Sequence, residues 1–406
     1  MIYDTIVVGA GASGITFALE AARRGSRAIV LERRSGLGGL GATKQVRLPD
    51  GSIFDWDIHG AHVFNAIDPD VKRWVFDLMP EDQWHRHVRD AKAILPDGTY
   101  VPYPVERSGF DWATSTALPE FDLASAGSYG KVLADEYGID VARRYLLHYD
   151  AKLWGAARLA DLDLDFRPST MPRSTPGALD GAHTHEVFYY PKREGYGAIF
   201  QRIADAAMHA GVMIMYDAEV VTIDYAYYDG NHWIVHGRDF ECEARTLVYT
   251  GPLADLPGIC PCVKHEIDPG SRSAFVDLAS APLTCVLTND PETHAMLRGS
   301  CWIYLPDPAY AFHKIENVGR IGGRSDAISG MISTKLGIGS VPGEIARSET
   351  MIAYPLPNKA RTRVLRGMQA VESSGFYLIG RLATWTHQTV DRCISDALIL
   401  ARRLFP

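Results

Sequence analysis

Two hydrophobic periods divide the chain. Thr5-Ile6-Val7-Val8 is an unbroken, mostly β-branched run and predicts a buried strand. Residues 15–24 repeat their apolar positions at helical spacing, and Gly25 ends that helix. Ala28-Ile29-Val30-Leu31 predicts a second strand. Further on, residues 199–210 predict an amphipathic helix, 212–223 strands, and 246–250 a strand that stops at Gly251. Phe376-Tyr377-Leu378-Ile379 predicts a late strand, and residues 391–404 a closing helix. Leu133, Tyr137, Val141, Tyr145, Leu146 and Tyr149 recur every three or four residues, predicting a helix over 133–154. Short β-prone runs at 301–304 and 311–315 predict an antiparallel sheet. Two stretches have no period: the Pro/Gly/Ser-rich 166–187, which carries Arg167 and Arg173, and the Gly/Ser-rich 322–343, which reads as a surface loop. No internal repeat is present.

The turn between the first strand and the first helix is Gly9-Ala10-Gly11-Ala12-Ser13-Gly14. In a dinucleotide site Gly9 permits the tight turn, Gly11 admits a pyrophosphate to the backbone, and Gly14 lets helix and strand pack. Ala12 and Ser13 open the helix and present its unpaired N–H groups. Glu32, 18 residues after Gly14, ends the second strand where an acid accepts ribose hydroxyls. Arg33, Arg34 and the pair Gly38-Gly39 follow and point to FAD rather than NAD, since that stretch runs back along the pyrophosphate. Gly380-Arg381, after the late strand, brings another segment to the same cofactor. The fold class is therefore α/β, or α+β overall: a discontinuous Rossmann-like FAD-binding domain with a helical insertion and an antiparallel-sheet substrate domain. The expected boundaries are 1–78, 192–255 and 365–406 for the FAD domain, 105–165 for the insertion, and 79–104, 166–191 and 256–364 for the substrate domain.

Composition narrows the function classes. The 406 residues are 47% hydrophobic and 22% charged with a formal charge of −8, which excludes a disordered chain and argues against a nucleic-acid partner. An anionic small substrate stays open, because a few local arginines bind one inside an acidic protein. No apolar run spans a bilayer and no leader segment precedes the first strand, so a cytoplasmic protein without membrane contact is expected. The cysteines (Cys242, Cys260, Cys262, Cys285, Cys301 and Cys393) form no C-x-x-C pair and no disulfide framework. Cys260-x-Cys262 lacks a second ligand pair, and His183 and His185 lack a third ligand at suitable spacing, so no metal is expected.

Several motifs in order along the chain resemble the UDP-galactopyranose mutase family. They are Gly60-Ala61-His62-Val63-Phe64, Tyr149-Asp150-Ala151-Lys152-Leu153-Trp154-Gly155, Tyr249-Thr250-Gly251-Pro252, Gly380-Arg381-Leu382-Ala383 and Ile394-Ser395-Asp396-Ala397-Leu398. The resemblance implies a non-redox mutase in which the N5 of reduced FAD displaces the nucleoside diphosphate. The resulting flavin–sugar adduct opens and recloses, and so interconverts the pyranose and furanose forms of the sugar. It places His62 over the flavin and Arg173 on a mobile loop as the diphosphate cation. Tyr149, Trp154 and Tyr354 are expected around the substrate, and Arg381 beside FAD. Its implied partners are a nucleotide-sugar substrate and a reductant such as NAD(P)H or a reductase, with a homodimer also admitted.

Three departures fall on the substrate side. His313 stands where the family has a sheet arginine, with Lys314, Lys359, Arg361 and Arg363 as candidate replacement cations. His387, Gln388 and Thr389 replace paired tyrosines and an acid, which makes Gln388 a candidate substrate contact, and Pro104 replaces an asparagine. These changes suit a relative acting on another sugar nucleotide, in antibiotic or cell-surface glycan synthesis. Two other readings stay open: an FAD-dependent oxidoreductase of the amine-oxidase-like type, and a silent flavin-binding protein.

Overall fold

In the computed structural model, which describes residues 2–163, 187–227, 230–324 and 327–406, two seven-stranded sheets organise the chain. The first is built on β1 (Ile2–Val8), α1 (Ala12–Arg23) and β2 (Ala28–Leu31). β1 and β2 pair in parallel from Thr5–Ala28 to Val8–Leu31. All of β2 is buried, as a continuous apolar run requires of a strand covered on both faces. β3 (Glu241–Tyr249) lies parallel on the other side of β1. Phe376–Leu378 pairs with its C-terminal half, and His232–Gly237 with its N-terminal half. Val220–Ala226 and Met213–Met215 form the two edges.

Helices from three distant stretches cover one face, where α1 packs against Ala198–His209 and Val390–Leu404. The other face departs from the expected boundaries. Residues 256–277 and the start of the helix Lys359–Glu372, as far as residue 364, are expected with the substrate sheet. They pack instead on the nucleotide sheet, because Leu256, Val263, Ile267 and Val364 share one core with Ile6, Ile29 and Leu247. Among the described residues, no helix is long and apolar enough to cross a membrane.

The second sheet runs Glu344–Pro355, Ser280–Thr288, Ser329–Ser333, Lys314–Glu316, Trp302–Tyr304, Ala91–Ile94, Tyr100–Pro102. Its pairs are antiparallel, except that Trp302–Tyr304 meets Ala91–Ile94 in parallel. Ser329–Ser333 corrects the expected 322–343 surface loop, because it is an interior strand of this sheet. Its small residues answer a packing demand that the sequence does not display: a Cβ on Gly330 would lie 3.2 Å from Val318 and 3.3 Å from Glu316. The hairpin Thr43–Arg47/Ile53–Asp57 rests on this sheet through Phe54, Trp56 and Leu283. The turn at residues 59–62 follows that hairpin and lies between the two sheets.

The helical insertion is less regular than its periodicity suggests. Gly127–Tyr137 ends at Gly138 with φ +95°. A wider turn at Ala142–Leu146 then leads into Leu147–Trp154. Tyr149 and Trp154 are buried at the site the second sheet forms, and buried Tyr145 stacks on Tyr149.

Candidate active site

Two spaces adjoin between the sheets. The larger is a cleft of about 710 Å³ at the C-terminal ends of β1, β2 and β3, within the roughly 300–1,000 Å³ usual for cofactor sites. Gly9, Gly11, Ala12, Ser13, Glu32, Arg33, Arg34, Gly38, Gly39, His62, Gly380 and Arg381 all line it. Gly14 does not; it packs inside the turn, where a Cβ would lie 2.0 Å from the Gly9 carbonyl oxygen. Gly11, at the start of α1, puts no side chain over the helix end, so the first-turn N–H groups face the cleft uncapped. A Cβ on Gly11 would meet no protein atom and would occupy the cleft itself.

Glu32 is fixed by accepting the Ala10 N–H at 2.8 Å and the Arg34 N–H at 2.9 Å. Each carboxylate oxygen keeps a lone pair for a hydroxyl. The late segment closes the cleft, with Gly380 so close to Ser13 that a Cβ would lie 2.6 Å from its Oγ. An uncapped helix end, a fixed acid and three arginines fit a dinucleotide pyrophosphate and its ribose.

The smaller space, about 190 Å³, opens beside the cleft, and His62 and Arg381 line both. His62 Nδ1 lies 2.7 Å from the Gly60 carbonyl. A carbonyl only accepts, so Nδ1 carries the proton and Nε2 is the acceptor. Burial, and then the Arg381 charge, push the His62 pKa down to about 3, so the ring is neutral near pH 7. Arg381 Nε donates to the Gln388 carbonyl at 2.9 Å, and its guanidinium lies 6.0 Å from the Tyr354 ring centre.

The walls of this compartment are aromatic. Trp154 meets Tyr354 edge-on at 6.1 Å, and Tyr149 meets both Tyr304 at 5.6 Å and His313 at 6.0 Å. His313 is buried, its Nδ1 has no hydrogen-bond partner among the described residues, and burial drives its pKa well down, helped by Lys152 and Lys314. Among the polar lining residues, His59, Tyr304, Glu316 and His387 were not assigned a site role from the sequence, and Lys314 was one of four candidate cations.

Lys314 Nζ donates to Glu316 Oε1 at 2.6 Å, and Glu316 Oε2 accepts the Ala61 N–H at 2.7 Å, tying the sheet to the His62 turn. Burial acts to lower the Lys314 pKa, but the Glu316 carboxylate outweighs it and holds the ammonium above its usual value. The available signal was alternation, since residues 314 and 316 must share a strand face. His387 stacks on Tyr354 at 5.4 Å. Of the four candidate cations, Lys314 lines the compartment and Lys359, Arg361 and Arg363 do not.

Gln388, expected as a substrate contact, does not line the aromatic compartment. It lines the cofactor cleft, and its side chain donates to Asp396 at 2.8 Å. The strand-to-helix turn carries residue 387 towards one space and 388 towards the other. Arg173, Arg167, His183 and His185 lie outside the described residues.

Comparison with known proteins agrees with this architecture. Residues 7–78 match the NAD(P)-binding Rossmann-like domain family. No curated protein sequence matches the chain. Among solved structures, reduced UDP-galactopyranose mutase superposes with a TM-score of 0.75 at 15% identity, covering 100% of this chain and 94% of that one. A fatty acid isomerase from P. acnes that produces CLA gives 0.61 at 13% identity, covering 100% and 99%. Putrescine oxidase bound to putrescine gives 0.60 at 13%, again covering 100% and 99%. At these identities the likeness is one of fold. The mutase resemblance read from the motifs thus extends to the architecture of the whole chain.

Proposed function

We propose that this chain is a flavin-dependent mutase that interconverts the pyranose and furanose forms of a nucleotide-diphosphate sugar with no net redox change. The observation that carries the reading is the junction at His62 and Arg381, where a dinucleotide-sized cleft meets an aromatic compartment holding a partly buried lysine. The fold likeness to reduced UDP-galactopyranose mutase supports it. FAD, when bound and reduced, supplies the nucleophile for the anomeric carbon of the sugar.

The side chains and backbone do the remaining work. The start of α1 and Arg33, Arg34 and Arg381 hold the cofactor pyrophosphate, and Glu32 takes the ribose hydroxyls. Neutral His62 keeps an acceptor at Nε2 between cofactor and sugar. Lys314 binds the departing diphosphate. Glu316 already offsets part of the Lys314 charge, so the clamp is completed by Arg173. Tyr149, Trp154, Tyr304 and Tyr354 cover the sugar ring and exclude water, which strengthens every charge interaction inside. His313 offers its unpaired Nδ1 to a sugar hydroxyl, where the family has a guanidinium. In this reading the enzyme works in the cytoplasm and is kept reduced by NAD(P)H or a reductase.

The second reading, an amine-oxidase-like FAD oxidoreductase, is supported by the fold likeness to putrescine oxidase. One experiment separates them. The reduced protein, kept anaerobic, is offered a panel of nucleotide sugars, and products are resolved by chromatography. Conversion of one member to a ring isomer, with no oxidant consumed, is expected. If every sugar is unchanged while the oxidised protein consumes oxygen with an amine or alcohol, the mutase reading is wrong.

A further inference from the structure

Cys260 and Cys262 line neither space, yet their sulfurs lie 3.3 Å apart. Cys260 is buried, whereas Cys262 is partly exposed. They belong to one tight turn: the Cys260 N–H donates to the Leu256 carbonyl at 2.8 Å, and the Val263 N–H to the Cys260 carbonyl at 3.2 Å. Pro261 between them fixes φ and limits the ways the two side chains can part. The hydrogen bond between the two sulfurs holds Cys262 below the ordinary thiol range and, together with burial, pushes Cys260 above it. Among the described residues no group of three or more His, Cys, Asp or Glu is arranged to hold a metal, so no such cluster includes this pair. An accessible, acidified thiol beside a buried second thiol is instead the arrangement of an oxidisable dithiol.

We propose that Cys260 and Cys262 form a modification site at which a hydroperoxide makes an intrachain disulfide. The Cys262 sulfur attacks one peroxide oxygen. The O–O bond breaks, an alcohol (or water) leaves, and Cys262 becomes a sulfenic acid. The Cys260 sulfur then attacks the Cys262 sulfur, the S–O bond breaks, and the hydroxyl leaves as water with the remaining thiol proton. Two thiols give up two electrons and two protons, and the peroxide takes them up. Closure brings the sulfurs from 3.3 Å to about 2.05 Å. Asp255 and Ile259, in the adjoining turn, wall the dinucleotide cleft beside Arg33. The closure therefore shifts that wall and changes how firmly the bound cofactor is held.

The test treats the protein as isolated with hydrogen peroxide, alkylates remaining thiols in denaturant, and maps the peptides. The expected result is a dithiothreitol-reversible bridge between Cys260 and Cys262, with the other four of the six cysteines alkylated. Cys260→Ser should stop at a Cys262 sulfenic acid that dimedone labels, and Cys262→Ser should leave Cys260 reduced. All six thiols alkylated in the treated wild type, or Cys262 driven to sulfinic acid beside a reduced Cys260, would overturn the site. Cofactor release from the bridged protein, followed by absorbance of the filtrate, should change several-fold. Unchanged release in bridged protein would overturn the link to the cleft.

Discussion

Replacing Lys314 with Met tests whether the Lys314–Glu316 pair holds the site together. The ammonium and carboxylate are 2.6 Å apart, and Glu316 is only 2% exposed. Removing the lysine leaves a buried carboxylate with the Ala61 N–H as its remaining donor among the described residues. Breaking a buried pair from one side costs about 3–5 kcal/mol, because the surviving charge is neither solvated nor matched. The lysine also lies 5.0 Å from the Trp302 ring centre, adding about 0.5–2 kcal/mol of cation–π attraction. Glu316→Gln alone should cost a similar few kcal/mol by stranding the ammonium, although its amide oxygen still accepts from Ala61. The double variant carries no buried charge and should lose less than either single variant, giving a coupling energy of at least about 2 kcal/mol. Urea unfolding followed by tryptophan fluorescence measures all four corners of the cycle. Single variants within about 1 kcal/mol of wild type, or a double variant equal to their sum, would refute the pairing argument. The double variant should also fail to bind a nucleoside diphosphate while keeping its cofactor, which separates the clamp from the fold.

Other outcomes follow from the same geometry. Gly14→Ala drives a Cβ to 2.0 Å from the Gly9 oxygen; it should cost about 1–3 kcal/mol and yield protein purified without a dinucleotide, read from its absorbance. His59 is 7% exposed and its pKa is pushed down to about 4 by burial, with Arg34 adding to it. Between pH 4 and its ordinary 6.5 the unfolded chain binds a proton that the folded chain does not. Stability should therefore rise with pH through that window, at up to about 1.4 kcal/mol per unit, and level off above it. His62 and His313 are also held neutral by burial and add slope of the same sign, so His59→Gln should lower the slope by up to about 1.4 kcal/mol per unit without abolishing it; an unchanged profile would show that His59 is not held neutral. Arg173→Ala should abolish most turnover while cofactor content stays normal; near-normal turnover would take Arg173 out of the site.

The first 32 residues were almost fully legible, because the nucleotide turn is a local device. Strand, Gly9 to Gly14, helix and Glu32 must follow one another closely for the helix end and the acid to reach one ligand, so the order is written in consecutive positions. Steric demand makes those glycines visible. His62, Tyr149, Trp154, Tyr354 and Arg381 were found through their motifs, and the fold brings them to one compartment. Sequence could not say that Lys314, rather than Lys359, Arg361 or Arg363, joins them. That depends on the register of Lys314–Glu316 between Trp302–Tyr304 and Ser329–Ser333, and the last of these strands looks like a loop in one dimension. The adjacent pair His387 and Gln388 divides between two spaces for a similar reason: a turn's backbone, set by its anchors Arg381 and Asp396, decides where each side chain goes.

Short-range spacing and side-chain type were enough to specify the nucleotide-binding unit and to identify most of the candidate chemistry. Which charges meet, which histidines lie buried and neutral, and where residues 256–277 pack are set by the folded arrangement. Those depend on burial and on pairings across more than two hundred residues, as between Ala61 and Glu316, and no local pattern encodes them.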